Sequence, residues 1–420
     1  MMTHWLRLLI VSAVVGMATT ARADVITDWN NAALDTIRLG RTSPPVASRA
    51  LAILHVSMYD AVNGISRVNE PYLVRSAVPS SASKETAAAA AAHRVLLTLF
   101  PQASQRFDHL YHVTLAGIPD GPHKGAGVAW GEYVAAQILS SRDSDGSAAI
   151  VAAPDGSGPG AWVATPPAQA GYLVPQWGFV LPFAMPTSAF FRPDGPPSLD
   201  SARYAADFNE VKALGAAVGS TSTADQTLVA LFWADGAGTE TPPGHWNSIA
   251  QTVAATFGNT LEQNARLFAL LNIAMADAGI CAWDAKYSYL FWRPITAVRN
   301  ADGDGNPATT SDPGWQSLIV TPPFPEYVSG HSAFSGAAAT ILARFFASDQ
   351  VSFSTRSDFV PDVVRQFTSF SAAAREAAES RVYGGIHFRS SSEDGLTGGI
   401  EIGNWVVDYF LQPKGNRSRK

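Results

Sequence analysis

The stretch LEQNARLFALLNIAMADAGICAWDAKYSYLFW, residues 261–292, decides the fold class of this 420-residue chain. Its apolar residues recur three and four positions apart, which favours an α-helix with a broad buried face. Pro294 follows, and helices commonly end or bend at a proline. The stretch therefore predicts one long helix that ends close to Pro294.

Helical patterns on both sides of this stretch extend the prediction to most of the chain. Alanine is abundant in periodic runs, and the alternation of β-branched residues typical of strands is scarce. The chain is 47% hydrophobic and 15% charged, which argues against disorder. We therefore predict an all-α fold built of helical bundles. The further helices are expected at residues 47–65, 84–99, 124–141, 200–216, 223–233, 332–347, about 360–379 and 394–411.

A long irregular insertion is predicted between residues 143 and 197, where glycine, proline and serine replace the helical pattern. Two interpretations are open. In the first, the insertion is an ordered excursion over the surface of a single domain covering residues 24–420. In the second, it separates two helical halves of that domain.

The first 23 residues look like a secretory signal peptide. Arg7 precedes an apolar run at residues 8–18, and Ala21-Arg22-Ala23 forms a small-x-small cleavage site. The run is too short to span a bilayer comfortably, although an uncleaved anchor helix is the alternative. We expect a periplasmic or secreted protein without stable membrane insertion.

Charge and cysteine content exclude several classes of function. The net charge of −6 argues against nucleic acid and anionic membranes as partners. Cys281 is the only cysteine, so the chain can form no internal disulfide. Its apolar neighbours predict a buried core thiol, not a nucleophile.

A first cluster of functional candidates lies at the end of the long helix. Lys286 and Arg293 are two helical turns apart, so they are expected on one helix face about 10 Å apart. Two cations in an aromatic segment are costly to bury without an anion. The alternative is a pair of side chains that extend to solvent.

Two further clusters suggest the same ligand. Ser329 and Gly330 stand where a helix is predicted to begin, and helix N-termini bind anions, although a simple helix cap is the alternative. His331 can exchange a proton near pH 7. A Gly-Gly pair between Arg381 and His387 allows a turn that brings both to one point. Together the three clusters supply cations, a hydroxyl, an amide and two imidazoles, a set suited to a tetrahedral or bipyramidal oxyanion.

In combination the clusters resemble a known signature. Lys-x6-Arg-Pro, Ser-Gly-His and Ser-Arg-x5-His are shared by vanadium-dependent haloperoxidases and type 2 phosphatidic acid phosphatases. The stretches RALAILHVSMYDAVNGI, FWADGAGTETPPGHWN and FPEYVSGHSAFSG look like the bacterial haloperoxidase branch. The resemblance implies a vanadate cofactor, with hydrogen peroxide and halide as substrates and hypohalous acid as product. An organic acceptor and an oligomer are compatible with it.

The resemblance also implies roles for individual residues. His387 would be the axial ligand of vanadium, and His331 the acid–base residue near the apical oxygen. Trp283 and Phe324 would line the halide side, and Asp235 would pair with a site arginine, with Arg293 favoured. The vanadate oxygens would be held by Lys286, Arg293, Ser329, Gly330 and Arg381.

Two positions depart from the family pattern. Val328 stands where proline is usual, and Ser391 stands where an aspartate usually follows His387 by four residues. In the phosphatases that carboxylate orients the histidine, and Ser391, Glu393 or Asp394 can substitute for it only in part, so reduced or altered activity is one expectation.

Two other functions therefore stay open. An acid phosphatase would use His387 to attack phosphorus and form a phospho-histidine, while His331 protonates the leaving group. A non-catalytic oxyanion-binding protein would need the pocket alone, and the Ser391 departure motivates this second alternative.

Overall fold

The all-α prediction is confirmed. The computed structural model describes residues 24–415 except 77, 153 and 155, so the predicted signal peptide lies outside the described residues. The described residues form thirteen α-helices, three short 3-10 helices and one two-stranded sheet. The helices before the insertion are α1 (Val25–Gly40), α2 (Pro44–Ser66), α3 (Lys84–Leu99), α4 (Ser104–Ala116) and α5 (Pro122–Arg142).

Eight α-helices and the sheet follow the insertion. A hairpin of β1 (Phe353–Arg356) and β2 (Val364–Phe367) pairs antiparallel, with Phe353 opposite Phe367. The helix predicted from about residue 360 is therefore wrong over its first ten residues. The helices are α6 (Ala202–Leu214), α7 (Ala224–Phe232), α8 (Thr241–Phe257), α9 (Leu261–Tyr289), α10 (Pro294–Arg299), α11 (Gly330–Phe345), α12 (Phe370–Tyr383) and α13 (Arg389–Tyr409).

Helix α9 is the centre of the core and packs against α2, α11 and α13. It is the one described helix long and apolar enough to cross a membrane, yet 94% of its apolar window is buried inside the protein. Cys281 lies on this helix and is buried, as predicted. Burial raises the pKa of its thiol to about 12, so the thiolate is disfavoured.

Glycines on α13 let it approach α11 closely. A Cβ on Gly399 would stand 2.2 Å from the Ala333 carbonyl oxygen, and one on Gly395 would stand 2.7 Å from that of Ser329. Real Cβ atoms do not approach so near, so larger residues would push the two helices apart. The close contact at Gly395 lies at the start of α11, where the site begins.

The irregular insertion is held against the core by a buried carboxylate. Asp277 on α9 accepts hydrogen bonds from the N–H groups of Phe183, Ala184 and Met185 at 2.6–2.8 Å. Further along, the Leu173 N–H donates to the Pro323 carbonyl over 2.9 Å. The insertion therefore contributes Leu173 to the region around the predicted site.

Candidate active site

A cavity of about 320 Å³ lies between the end of α9, the start of α11 and the end of α12. Three of the predicted residues, Lys286, Arg293 and Ser329, are completely buried in the wall behind it. The fold thus brings together three clusters that lie far apart in the sequence. Seven predicted residues line the cavity: Asp235, Trp283, Phe324, Gly330, His331, Arg381 and His387.

Arg293 reaches the site by a different route from the one predicted. Helix α9 ends before it, at Tyr289, and the C-cap residue Leu290 has a left-handed backbone. Arg293 is the N-cap of α10. The expectation that Lys286 and Arg293 share one helix face is therefore wrong. A reversal of the chain brings the guanidinium in, and its Nε donates to the Phe324 carbonyl over 2.8 Å.

Lys286 is bound to the loop before α11. Its ammonium donates to the carbonyl oxygens of Pro325 and Glu326 at 3.0 and 2.9 Å, and also to that of Val328. Burial lowers the pKa of Lys286 well below its usual range, and the charge of Arg293 lowers it further. In this structure Lys286 fixes the loop and adds positive charge, while its donors point to carbonyls and not to the cavity.

Ser329 caps α11, as the simple alternative had it. Its Oγ accepts from the Ser332 N–H at 3.3 Å, and its own N–H donates to the Ser391 carbonyl at 3.1 Å. Gly330 follows and lines the cavity, and a Cβ there would meet the Trp283 ring at 3.3 Å. A larger residue would therefore press on the aromatic wall.

Trp283 and Phe324 form that aromatic wall, and their ring centroids are 5.0 Å apart. The Trp283 Nε1–H donates to the Leu173 carbonyl at 3.3 Å, so the insertion supports the ring. The Arg293 guanidinium lies 4.7 Å from the Phe324 centroid, a cation–π contact. One side of the cavity is therefore apolar and backed by a cation.

The His387 imidazole is held from both sides. Its Nδ1 lies 2.8 Å from Glu326 Oε1, which also accepts the Phe388 N–H at 2.9 Å. Its Nε2 lies 3.0 Å from Arg293 Nη1. A guanidinium can only donate, so Nε2 accepts and the hydrogen of the neutral ring is on Nδ1.

Glu326 was not among the predicted site residues. Its side chain is completely buried, and burial raises its pKa to about 7. The sequence carried one signal: an ionisable residue in the apolar, proline-rich run TPPFPEYV. A buried carboxylate in such a run needs a partner, and the partner lies 61 positions downstream.

His331 has a different environment. Its Nε2 lies 3.3 Å from Arg381 Nη1 and 3.3 Å from the Ala234 carbonyl oxygen. Burial lowers the pKa of His331 well below its usual range, and the charge of Arg381 adds to the effect. The Arg381 guanidinium also donates to the Trp233 carbonyl, and burial lowers its pKa to about 10.

The predicted pairing of Asp235 with Arg293 is wrong. Asp235 Oδ2 lies 3.2 Å from His245 Nδ1, and His245 Nε2 lies 3.0 Å from Thr355 Oγ1. Asp235 acts on Arg381 only through its charge, which raises the pKa of that guanidinium. The reason is position: Asp235 follows α7 on the Arg381 side of the cavity, whereas Arg293 faces His387.

The charge balance of the cavity favours an anion. Three buried cations, Lys286, Arg293 and Arg381, surround it, and Arg293 Nη2 is buried without a hydrogen-bond partner. Of the two nearby carboxylates, Glu326 bonds His387 and Asp235 bonds His245. Within the described ranges, no group of three or more His, Cys, Asp or Glu is placed to hold a metal cation. An oxyanion with one imidazole ligand fits these donors.

Comparison with known proteins agrees with the geometry. A family model for the VCPO second helical-bundle domain matches residues 266–414. The crystal structure of the first bacterial vanadium-dependent iodoperoxidase superimposes with a TM-score of 0.79 at 29% identity, over 93% of this chain and 96% of its own. In this part of its sequence and in its fold, the chain is similar to vanadium haloperoxidases.

Two further relatives complete the comparison. Vanadium chloroperoxidase of Curvularia inaequalis is 32% identical over 203 residues, which are 42% of this chain and 33% of that protein. The chain thus matches about a third of that curated relative. A holo-type bacterial vanadium-dependent chloroperoxidase has the same fold, with a TM-score of 0.71 at 18% identity over 93% of both chains.

Proposed function

We propose that this protein is a vanadate-dependent haloperoxidase that oxidises halide with hydrogen peroxide to hypohalous acid. The observation that supports this most is the cavity beside three buried cations, lined by the neutral imidazole of His387, whose unprotonated Nε2 accepts from Arg293. A tetrahedral oxyanion neutralises the cations, and the imidazole supplies a ligand for its central atom.

In this proposal the chain's residues bind and orient the cofactor. Arg293 and Arg381 hold its oxygens, together with the Gly330 amide at the start of α11. Lys286 contributes charge and fixes the loop that precedes α11. His387 Nε2 is the ligand to vanadium. When bound, vanadate supplies a Lewis-acid centre that activates peroxide without changing its own oxidation state.

His331 handles the proton in this scheme. Oxidation of one halide by one hydrogen peroxide consumes one proton and releases hypohalous acid and water. His331 lies on the cavity wall and, since its pKa is lowered, it is neutral near pH 7 when no anion is bound. Binding of an anion favours the imidazolium, which can then deliver the proton.

Halide oxidation measured on apo-protein and on vanadate-loaded protein tests the proposal. We expect peroxide-dependent oxidation of iodide that requires vanadate, with bromide and chloride measured in parallel. Hydrolysis of a phosphomonoester without vanadate, and no halide oxidation with it, would instead identify a phosphatase. Vanadate binding with neither activity would identify a non-catalytic oxyanion-binding protein.

Export across the inner membrane is a separate part of the proposal. It is supported by the signal-like sequence of residues 1–23. N-terminal sequencing of the protein recovered from the periplasm or medium should begin at Asp24. A cytoplasmic protein that retains Arg7 and Arg22 would contradict it.

A further inference from the structure

Glu326 has no part in the proposed binding of vanadate or transfer of the proton. Its carboxylate is completely buried in the same wall as Lys286 and Arg293. Yet it bonds the imidazole of His387 and the Phe388 N–H, and neither cation lies within ion-pair distance of it. A buried carboxylate is costly, so this arrangement calls for a physical reason.

We infer that Glu326 is the positioning residue of His387, and that it replaces the aspartate whose place Ser391 occupies. The inference rests on the proposed function, because it assigns Glu326 a task in holding the vanadium ligand. Carboxylates that bond the far nitrogen of a ligating histidine fix the tautomer and raise the basicity of the ligand.

The geometry lets Glu326 control both the position and the rotation of the ring. One oxygen, Oε1, accepts from the Phe388 N–H and faces His387 Nδ1, so it anchors the main chain and the side chain together. The main chain of Glu326 is anchored as well. Its N–H donates to the Phe291 carbonyl over 2.9 Å, and its own carbonyl accepts from Lys286.

Ser391 occupies the position of the usual aspartate, but its contact with His387 is weak. Its Oγ lies 3.4 Å from His387 Nδ1, longer than the 2.8 Å to Glu326. Both Ser391 and Glu326 therefore face the same nitrogen from different elements, the start of α13 and the loop before α11. A carboxylate placed at 391 can approach Nδ1 from its own side.

The direction of the effect separates positioning from simple charge. If Glu326 only balanced the nearby cations, its removal would increase the net positive charge and strengthen the binding of every oxyanion. If it positions His387, its removal weakens the binding of vanadate, which bonds the imidazole. Phosphate is held by the cations alone in a binding equilibrium, so its affinity should not fall.

The test compares Glu326→Gln with the double variant Glu326→Gln/Ser391→Asp, by equilibrium dialysis of vanadate and of inorganic phosphate. We expect the Gln variant to lose about tenfold to a hundredfold in vanadate affinity, the usual loss for such a partner. Its phosphate affinity should be unchanged or higher. Adding Asp at 391 should restore vanadate affinity towards that of the wild type.

Asp60→Asn is the matched control. Asp60 is also a buried carboxylate that accepts backbone N–H groups, those of Tyr72, Leu73 and Val74, but it lies outside the cavity. Its variant should lower stability and leave vanadate affinity unchanged. Unchanged or tighter vanadate binding in Glu326→Gln would overturn the inference. Equal losses for vanadate and phosphate, or no gain from Asp at 391, would also count against it.

A tautomer measurement keeps the inference separate from the proposed function. Nitrogen-15 NMR of labelled histidines should show His387 protonated on Nδ1 in the protein without vanadate, assigned by its absence in His387→Gln. In Glu326→Ala, Arg293 still donates to Nε2, so the proton should stay on Nδ1 but lose its acceptor, and the Nδ1 resonance should move upfield. An unchanged Nδ1 resonance there would overturn the inference. Failure of the wild type to bind vanadate would contradict only the proposed function.

Discussion

The two histidines of the cavity differ in how their nitrogens are held. His387 has a carboxylate at Nδ1 and a guanidinium at Nε2, so one tautomer satisfies both neighbours. His331 has a donor, Arg381, and an acceptor, the Ala234 carbonyl, both 3.3 Å from the same Nε2. Its hydrogen is therefore not fixed by the surroundings.

The difference matches the two tasks that a cofactor site of this kind needs. A ligand must present its lone pair in one direction, and the contacts of His387 achieve that. A proton-transfer group must be able to gain and lose its proton, and the mixed contacts of His331 allow both states. Two identical side chains thus acquire different chemistry from their neighbours.

The largest expected effect comes from removing the ligand. His387→Ala should weaken vanadate binding by more than about a hundredfold, which exceeds the loss typical when only a supporting partner is removed. Its unfolding temperature should fall, since the buried Glu326 carboxylate loses its partner, so affinity is compared at a temperature where the variant is folded. Equilibrium dialysis and thermal unfolding measure the two quantities. Unchanged affinity would remove the distinction between the two histidines.

His331→Ala should affect rate and not binding. Loss of a positioned proton-transfer group costs on the order of a hundredfold or more in turnover. Vanadate affinity should stay close to that of the wild type, and the pH profile of halide oxidation should lose one limb. Steady-state kinetics across pH, with vanadate saturating, measures both. Wild-type turnover with an unaltered profile would reduce His331 to the first turn of a helix.

A third buried imidazole, that of His245, extends the comparison, and its replacement is expected to have the smallest effect of the three. Burial alone would lower the pKa of His245, but the carboxylates of Asp235, Glu240 and Asp358 raise it above its usual value. The resulting stabilisation is present in full below the unfolded pKa of about 6.5 and is lost as pH rises through the folded pKa. The pKa of His387 shifts in the opposite direction. Burial lowers it, and the charges of the nearby cations lower it further.

His245→Gln therefore tests the direction in which this stabilisation changes with pH. At pH 6 the variant should be less stable by about 1.5–3 kcal/mol, the value of a hydrogen bond to a charged group. The difference in free energy of unfolding should shrink as pH rises above 6.5, as denaturant unfolding can show. In His55→Gln it should stay flat over that range, because burial lowers the pKa of His55 to about 3. A pH-independent difference for His245→Gln would contradict the assignment.

Local pattern was sufficient for most of the fold. The period of three to four residues located α9 and α11 to within a few residues, because amphipathic periodicity is carried by the helix itself. The hairpin of β1 and β2 was missed because its strands are four residues long and depend on each other. Helices α1, α4, α8 and α10 were not predicted either.

Local pattern was less informative about the site. Seven candidate residues came from three short motifs and three from the family resemblance, and the fold brings most of them to one cavity. Their partners could not be predicted in the same way. Glu326 with His387, and Asp235 with His245, are contacts that depend on where the loops cross, and no spacing in the sequence indicates them.

A crystal structure of the vanadate-loaded protein tests the central claim most directly. We predict tetrahedral or bipyramidal density in the cavity, with an anomalous vanadium signal within bonding distance of His387 Nε2. Its oxygens should lie within hydrogen-bond distance of Arg293, Arg381 and the Gly330 amide. Vanadium bound elsewhere, or an anion in the cavity that does not contact His387, would contradict the account.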